Sequence, residues 1–261
     1  MALFPLSDDT PLKNVSFQYV TVTLIALNLA LFLWELTQGT NIDSLVYSLG
    51  AIPAVIFGSA ELPPHLDLIP GWATLITSLF LHGGWMHLLG NMLFLWIFGD
   101  NVEDSMGHIR YLAFYLLCGV LATLMHGIVQ PESEEPLIGA SGAISGVLGA
   151  YLILHPRARL LVLLLSVIPL RLPAYVVLGS WIILQVLNLN GDAGSDIAWW
   201  AHIGGFIAGA ILIVPFRRRG MPLFDATPAD SEIIDRIERR HARSIFPNTV
   251  DPRARRPGPW D

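Results

Sequence analysis

Six apolar segments, each long enough or nearly long enough to cross a lipid bilayer, constrain the fold of this 261-residue chain more than any other feature. They run from Val20 to Leu36, His87 to Phe98, Tyr111 to Val129, Ser141 to Leu154, Ala174 to Leu189 and Trp199 to Phe216. A helix needs about 20 mostly apolar residues to cross the hydrocarbon core. The second and fourth segments reach that length when extended by a turn at each end into Gly-rich sequence. Short, Gly-rich helices are tolerated where protein rather than lipid surrounds them, so these two are expected to be interior. Composition agrees, with 53% hydrophobic and 14% charged residues, against about 25% charged in soluble domains. The expected fold is an all-α membrane protein, a six-transmembrane-helix bundle over residues 20–216. A cytoplasmic segment, 1–19, precedes it, and a polar, mobile cytoplasmic tail, 217–261, with a short helix from Ser231 to Arg243, follows.

The basic residues give the orientation, because Lys and Arg are retained on the cytoplasmic side. Lys13 precedes the first span, Arg110 lies between the second and third, Arg157, Arg159 and Arg171 lie between the fourth and fifth, and Arg217 to Arg219 follow the sixth. The connections 39–84, 131–137 and 190–196 carry no Lys or Arg. Both termini are therefore expected in the cytoplasm, with the chain a multi-pass protein of a bacterial plasma membrane. The amino terminus lacks the basic stretch and short apolar core of a cleavable signal. A single cysteine, Cys118, cannot pair within the chain. The 39–84 connection is too apolar for disorder and is expected to lie partly in the membrane interface. Residues Leu160 to Ile168 are apolar but too short to span, and are also expected to be interfacial.

Polar residues within a span are costly and are functional candidates by default. Six fall near the start of spans two, four and six, and so on the same, non-cytoplasmic side: His82, His87, Asn91, Ser141, Ser145 and His202. Asn28, His126 and Gln185 each stand alone in a segment, which points to interhelical hydrogen bonds. Around Ser141 the fourth span reads Gly139-Ala140-Ser141-Gly142, and around His202 the sixth reads Ala201-His202-Ile203-Gly204-Gly205. Small residues three or four apart let helices approach closely. A hydroxyl nucleophile and its imidazole base need that approach, since they must come within about 2.6–3.2 Å. His87 and Asn91, four apart on one helix face, offer donors to a developing oxyanion. A packing serine and a satisfied interior histidine are the plainer readings of Ser141 and His202 taken singly; their joint occurrence at equal depth favours chemistry.

The run His82-Gly83-Gly84-Trp85-Met86-His87-Leu88-Leu89-Gly90-Asn91, the Gly139-Ala140-Ser141-Gly142 element and Ala201-His202-Ile203-Gly204-Gly205 resemble, in order, the three signatures of the rhomboid intramembrane proteases. The resemblance covers residues 20 to 216. It implies a rhomboid-like bundle with Ser141 as nucleophile and His202 as general base. It also implies an oxyanion hole of His87, Asn91 and the Ser141 N–H, with His82, Ser145, Gly139, Gly142 and Gly205 in support. Gly99-Asp100-Asn101-Val102-Glu103 resembles the family's G-x-x-x-E element, which makes Glu103 structural. The chain departs from the family's Trp-Arg pair in the first long loop, where it reads Gly71-Trp72-Ala73-Thr74. It also places Ser145 where many members carry an aromatic residue that packs on the histidine, so a hydroxyl hydrogen bond is expected to hold the imidazole instead. Asp192 and Asp196 belong to a loop, so a dyad rather than a triad is expected.

These readings imply a serine endopeptidase acting on transmembrane protein substrates within membrane lipid, with no cofactor, no metal and no nucleic-acid partner. A zinc protease built on His82, His87 and His202 lacks an H-E-x-x-H pair or a nearby carboxylate ligand. A transporter would show deep charges or two related halves. A non-catalytic rhomboid-like binder of transmembrane helices is the alternative, and it would be expected to have lost Ser141 or His202.

Overall fold

A computed structural model describes residues 3–164, 167–190 and 198–224. The expected tail helix, Asp192 and Asp196 lie outside the described residues. Six long helices occupy the places of the six apolar segments: α1 (Tyr19–Leu36), α5 (Trp85–Met106), α6 (His108–Val129), α7 (Ser141–Leu154), α8 (Ala174–Leu187) and α9 (Trp199–Phe216). Three of them, α1, α6 and α9, are long and apolar enough by themselves to cross a membrane. Helices α7 and α8 have 14 residues each, and α5 has 22 but ends in the polar sequence Gly99-Asp100-Asn101-Val102-Glu103-Asp104.

Helix α7 is the interior helix that its glycine content suggested. It packs against α5, α6 and α9, and every residue from Gly142 to Tyr151 is buried. With α9 it makes backbone-to-backbone contact. A Cβ added at Gly205 would overlap the Gly142 carbonyl, and one at Gly209 the Gly146 carbonyl. Around this pair Leu88, Leu95, Phe98, Phe114, Tyr115, Val147 and Leu148 form the core.

Glu103, fully buried near the C-terminal end of α5, caps a different helix. Its carboxylate accepts the N–H groups of Val20 (3.0 Å) and Thr21 (2.8 Å), the Thr21 hydroxyl (2.7 Å) and His108 Nδ1 (2.6 Å). The first N–H groups of α1 have no partner within their own helix, and a carboxylate is the favoured acceptor at a helix N-terminus. Beside it the Asp104 carboxylate accepts the backbone N–H groups of Lys13, Asn14 and Val15 at 2.6–3.1 Å. These two neighbouring acids fix the N-terminal segment onto the bundle.

The all-α expectation requires one correction. Strands β1 (Leu3–Ser7), β2 (Arg159–Leu164) and β3 (Ile168–Pro173) form an antiparallel sheet in the order β1-β2-β3. The apolar run after Leu160 is therefore the central strand of a sheet. Leu160 and Val162 are both fully buried, while Pro5, Pro169 and Pro173, which cannot donate to a ladder, are confined to the two edge strands. The 39–84 connection is also largely ordered, holding the short helices α2 (Ile42–Leu49), α3 (Pro53–Ile56) and α4 (Gly71–Thr77).

Candidate active site

Ser141 is the first residue of α7, and the chain reaches it through a backbone only glycine takes easily. Gly139 has φ 115°, a region L-residues with side chains rarely occupy. A Cβ there would also lie 2.6 Å from Cε1 and Nε2 of His87. The missing side chain thus lets the His87 ring rest against the chain two residues ahead of Ser141. The first intrahelical bond runs from Ile144 N–H to the Ala140 carbonyl at 2.9 Å, so the N–H groups of Ser141, Gly142 and Ala143 precede the helical ladder. A small cleft adjoins this end of α7, lined by Ser78, Thr123, Ile138, Gly139, Ser141 and Ala201.

His202 lies in the first turn of α9. Its Nε2 is 2.9 Å from Ser141 Oγ, and its Nδ1 is 2.8 Å from Gln185 Oε1 on α8. The imidazole lies beside two indoles, with the Trp181 ring 5.8 Å away at 34° and the Trp199 ring 6.3 Å away at 89°. The glycine contacts below this point draw α7 and α9 together, which is what brings hydroxyl and imidazole within hydrogen-bond reach.

On α5, His87 and Asn91 share the face that looks toward Gly139. Asn91 Nδ2 donates to His82 Nε2 at 3.1 Å, which uses one of its two N–H bonds and leaves the other. His82 in turn donates its backbone N–H to Glu35 Oε2 on α1 at 3.2 Å, and its ring meets that of His87 edge-on at 5.1 Å. Burial, aided by the neighbouring His87, pushes the His82 pKa down to about 4. The ring is therefore neutral at physiological pH and able to accept from Asn91. His82 thus orients the asparagine.

Two expectations about side-chain partners are corrected. Ser145 does not hold the imidazole. Its hydroxyl turns back along α7 to donate to the Ser141 carbonyl at 2.7 Å, a common resort for a serine whose helix leaves it no polar neighbour. Asn28 does not bridge helices either, since its Nδ2 donates to Leu24 O of α1. Gln185 does bridge helices, and its partner is His202. Trp181, one turn before Gln185 on the same face, received no role in the sequence reading. The four-residue spacing of an indole and an amide on a mostly apolar helix was the available signal.

A helical bundle that seats a serine at one helix N-terminus against a histidine in the first turn of another defines a class of protein with the groups for acyl transfer. Residues 70–219, more than half of the chain, match the rhomboid domain. The chain belongs to the rhomboid family. It is similar to the rhomboid protease GluP of Bacillus subtilis, with 34% identity over 192 residues, 72% of this chain and 33% of that protein. It is similar also to the rhomboid protease AarA of Providencia stuartii, with 28% identity over 222 residues, 76% of this chain and 72% of that one. Rhomboid protein 1, mitochondrial, of Saccharomyces cerevisiae is 29% identical over 192 residues, 66% of this chain and 53% of its own length. The chain thus spans about half or less of the length of the yeast protein and of GluP. The family includes serine proteases, and the rhomboid domain together with the apolar helices points to a multi-pass integral membrane protein.

Proposed function

We propose that this protein is an intramembrane serine endopeptidase that hydrolyses peptide bonds in or near the transmembrane segments of other membrane proteins through a Ser141–His202 dyad. The observation that carries the reading is the 2.9 Å approach of Ser141 Oγ to His202 Nε2 across the glycine-lined α7–α9 contact. In this reading α1 and α5 to α9 all span the bilayer, and α7 can be short because protein surrounds it. Both termini are cytoplasmic, and the membrane is a bacterial plasma membrane; the relatives include mitochondrial as well as bacterial proteins.

In the proposed reaction Ser141 Oγ attacks the substrate carbonyl carbon while His202 Nε2 takes the hydroxyl proton. The carbonyl oxygen, now carrying the negative charge, is received by the Ser141 N–H at the start of α7, the free Asn91 N–H and His87. Nε2 then returns its proton to the leaving amine, and a water molecule, activated the same way, releases the acyl group. A helical peptide bond hides its carbonyl, so substrates should carry small or helix-breaking residues near the cut.

Purified protein in detergent, treated with a fluorophosphonate probe and separately with a model transmembrane substrate, tests this reading. Labelling and cleavage should both be lost in Ser141→Ala, and cleavage in His202→Ala. Undiminished cleavage by either variant would sink the dyad.

A further inference from the structure

The dyad reading leaves the other side of the imidazole unexplained, and a buried amide sits there. Gln185 is 6% exposed, and both ends of its side chain are engaged. Its Nε2 donates to the Trp181 carbonyl at 3.1 Å, within its own helix, and its Oε1 faces His202 Nδ1 at 2.8 Å. The first bond fixes which way the amide points, because only the NH₂ end can donate to a carbonyl. The oxygen that faces His202 can only accept. Nδ1 must then carry the imidazole proton, and Nε2, turned toward Ser141 Oγ, must present its lone pair.

We propose that Gln185 is a positioning residue that fixes His202 in the Nδ1–H tautomer, the one form of the neutral ring that can accept the Ser141 proton. The proposal rests on the reading of Ser141 as nucleophile and His202 as base, and adds a third, uncharged member to that pair. When Nε2 takes the serine proton, Nδ1–H stays on the amide oxygen and is not passed on, since an amide does not accept a proton under these conditions. The same proton leaves from Nε2 to the departing amine. Trp181, one turn earlier, lies beside the ring and limits its rotation, so one face of α8 supplies both the tautomer and the orientation. In soluble serine hydrolases a carboxylate does this work. A carboxylate in this apolar setting would carry a desolvation cost that an amide avoids.

The test uses Gln185→Leu and Gln185→Met, which remove the acceptor at similar volume, and Gln185→Glu, which keeps it. Each would be purified as the full chain, with thermal melting to show that it is folded. Cleavage of the model transmembrane substrate should fall about tenfold to 10³-fold in kcat for Leu and Met with KM within about twofold, short of the roughly 10⁴-fold that a wrong-tautomer histidine costs where the partner is a carboxylate. Gln185→Glu should recover most of that loss. In parallel, ¹⁵N-histidine NMR, with the His202→Ala spectrum as the assignment reference, should show His202 protonated at Nδ1 in the unaltered protein and shifted toward the Nε2–H form in Gln185→Leu.

A folded Gln185→Leu with full kcat, or a His202 signal that keeps its tautomer in that variant, overturns the role of Gln185. Cleavage that survives Ser141→Ala overturns the reading of Ser141 as nucleophile instead, and the NMR measurement still decides whether Gln185 holds the ring.

Discussion

The Gly142 carbonyl lies directly against the Cα of Gly205, so that α7 and α9 touch there through backbone alone and a methyl group on Gly205 would overlap the oxygen. Ser141 is one residue before the first glycine and His202 three before the second. The contact therefore sets the distance between the two side chains as well as the packing of the helices.

Gly205→Ala should force α7 and α9 apart. Overpacking of this kind costs about 1–3 kcal/mol, and displacement of a reacting pair by about 1 Å can cost 100-fold in rate. Cleavage and fluorophosphonate labelling should both drop by about that factor, with a lower melting temperature. Gly179→Ala on α8, where an added Cβ meets nothing within 4 Å, should leave both unchanged. Wild-type labelling by Gly205→Ala would remove the backbone contact from the account of the site.

Ser145→Ala should be nearly silent, although Ser145 stands one turn after Ser141 and is almost fully buried. Its hydroxyl donates only to the Ser141 carbonyl, which keeps a backbone partner in the helix when the hydroxyl is removed. Activity should stay within about twofold, the scale of substitutions that break no special contact. A loss beyond tenfold with the fold intact would show that Ser145 acts on the reaction after all.

Glu103 behaves as a clasp, and its loss should be felt in stability before activity. Glu103→Ala strands the N–H groups of Val20 and Thr21 and frees His108. Removing a buried carboxylate with several donors should cost about 3 kcal/mol. Denaturation monitored in detergent should show that loss, while the fraction of protein still folded labels with probe at the normal rate. Slow labelling of fully folded Glu103→Ala would contradict a purely structural role.

A pH dependence is expected from Asp8, which accepts hydrogen bonds from Tyr151 Oη (2.7 Å) and Asn101 Nδ2 (2.8 Å). Burial raises its pKa above the ordinary carboxylate value. The Tyr151 and Thr10 hydroxyls pull the other way, and the charge of Asp9 adds to the rise. Asp100 on α5 is the other carboxylate facing it. The folded chain therefore holds the Asp8 proton more tightly than the unfolded chain does. Stability from this group is full below about pH 4, the unfolded value, and declines as the pH rises through the folded one. Asp8→Asn imitates the protonated form, so its melting temperature relative to wild type should climb as the pH is raised from about 4. A wild type that gains on Asp8→Asn over that interval would reverse the sign.

Much of the candidate site is legible in the sequence because its polar residues sit on a periodic background. Ser141, His202, His87 and Asn91 are polar residues in apolar runs, and the glycines beside two of them announce close approach. Gln185 was visible as a polar residue in a span, and an interhelical bond was the right expectation. Its partner was not legible, because His202 lies on a different helix and no local pattern records which helices pack together. Trp181 was hidden among other large apolar residues. The sheet was missed for a local reason: Leu160 to Leu164 are all apolar, so the alternation of buried and exposed positions leaves no mark in residue type. Its strand β1 comes from residues 3 to 7, a pairing across more than 150 positions that no local pattern records. The clasp of Asp104 on residues 13 to 15 escaped for the same reason of distance.

That long-range strand pairing carries a consequence for how the chain is built. Phe4 pairs with Leu163, so β1 leaves the ribosome without a partner until the seven helices α1 to α7 and the central strand have followed it. Closing a loop of that length is entropically costly and comes late in assembly. Strand β1 is thus synthesised well before its partner and is among the last elements to be seated. A bulky fusion attached ahead of it would burden that final docking step while leaving the helices free to insert.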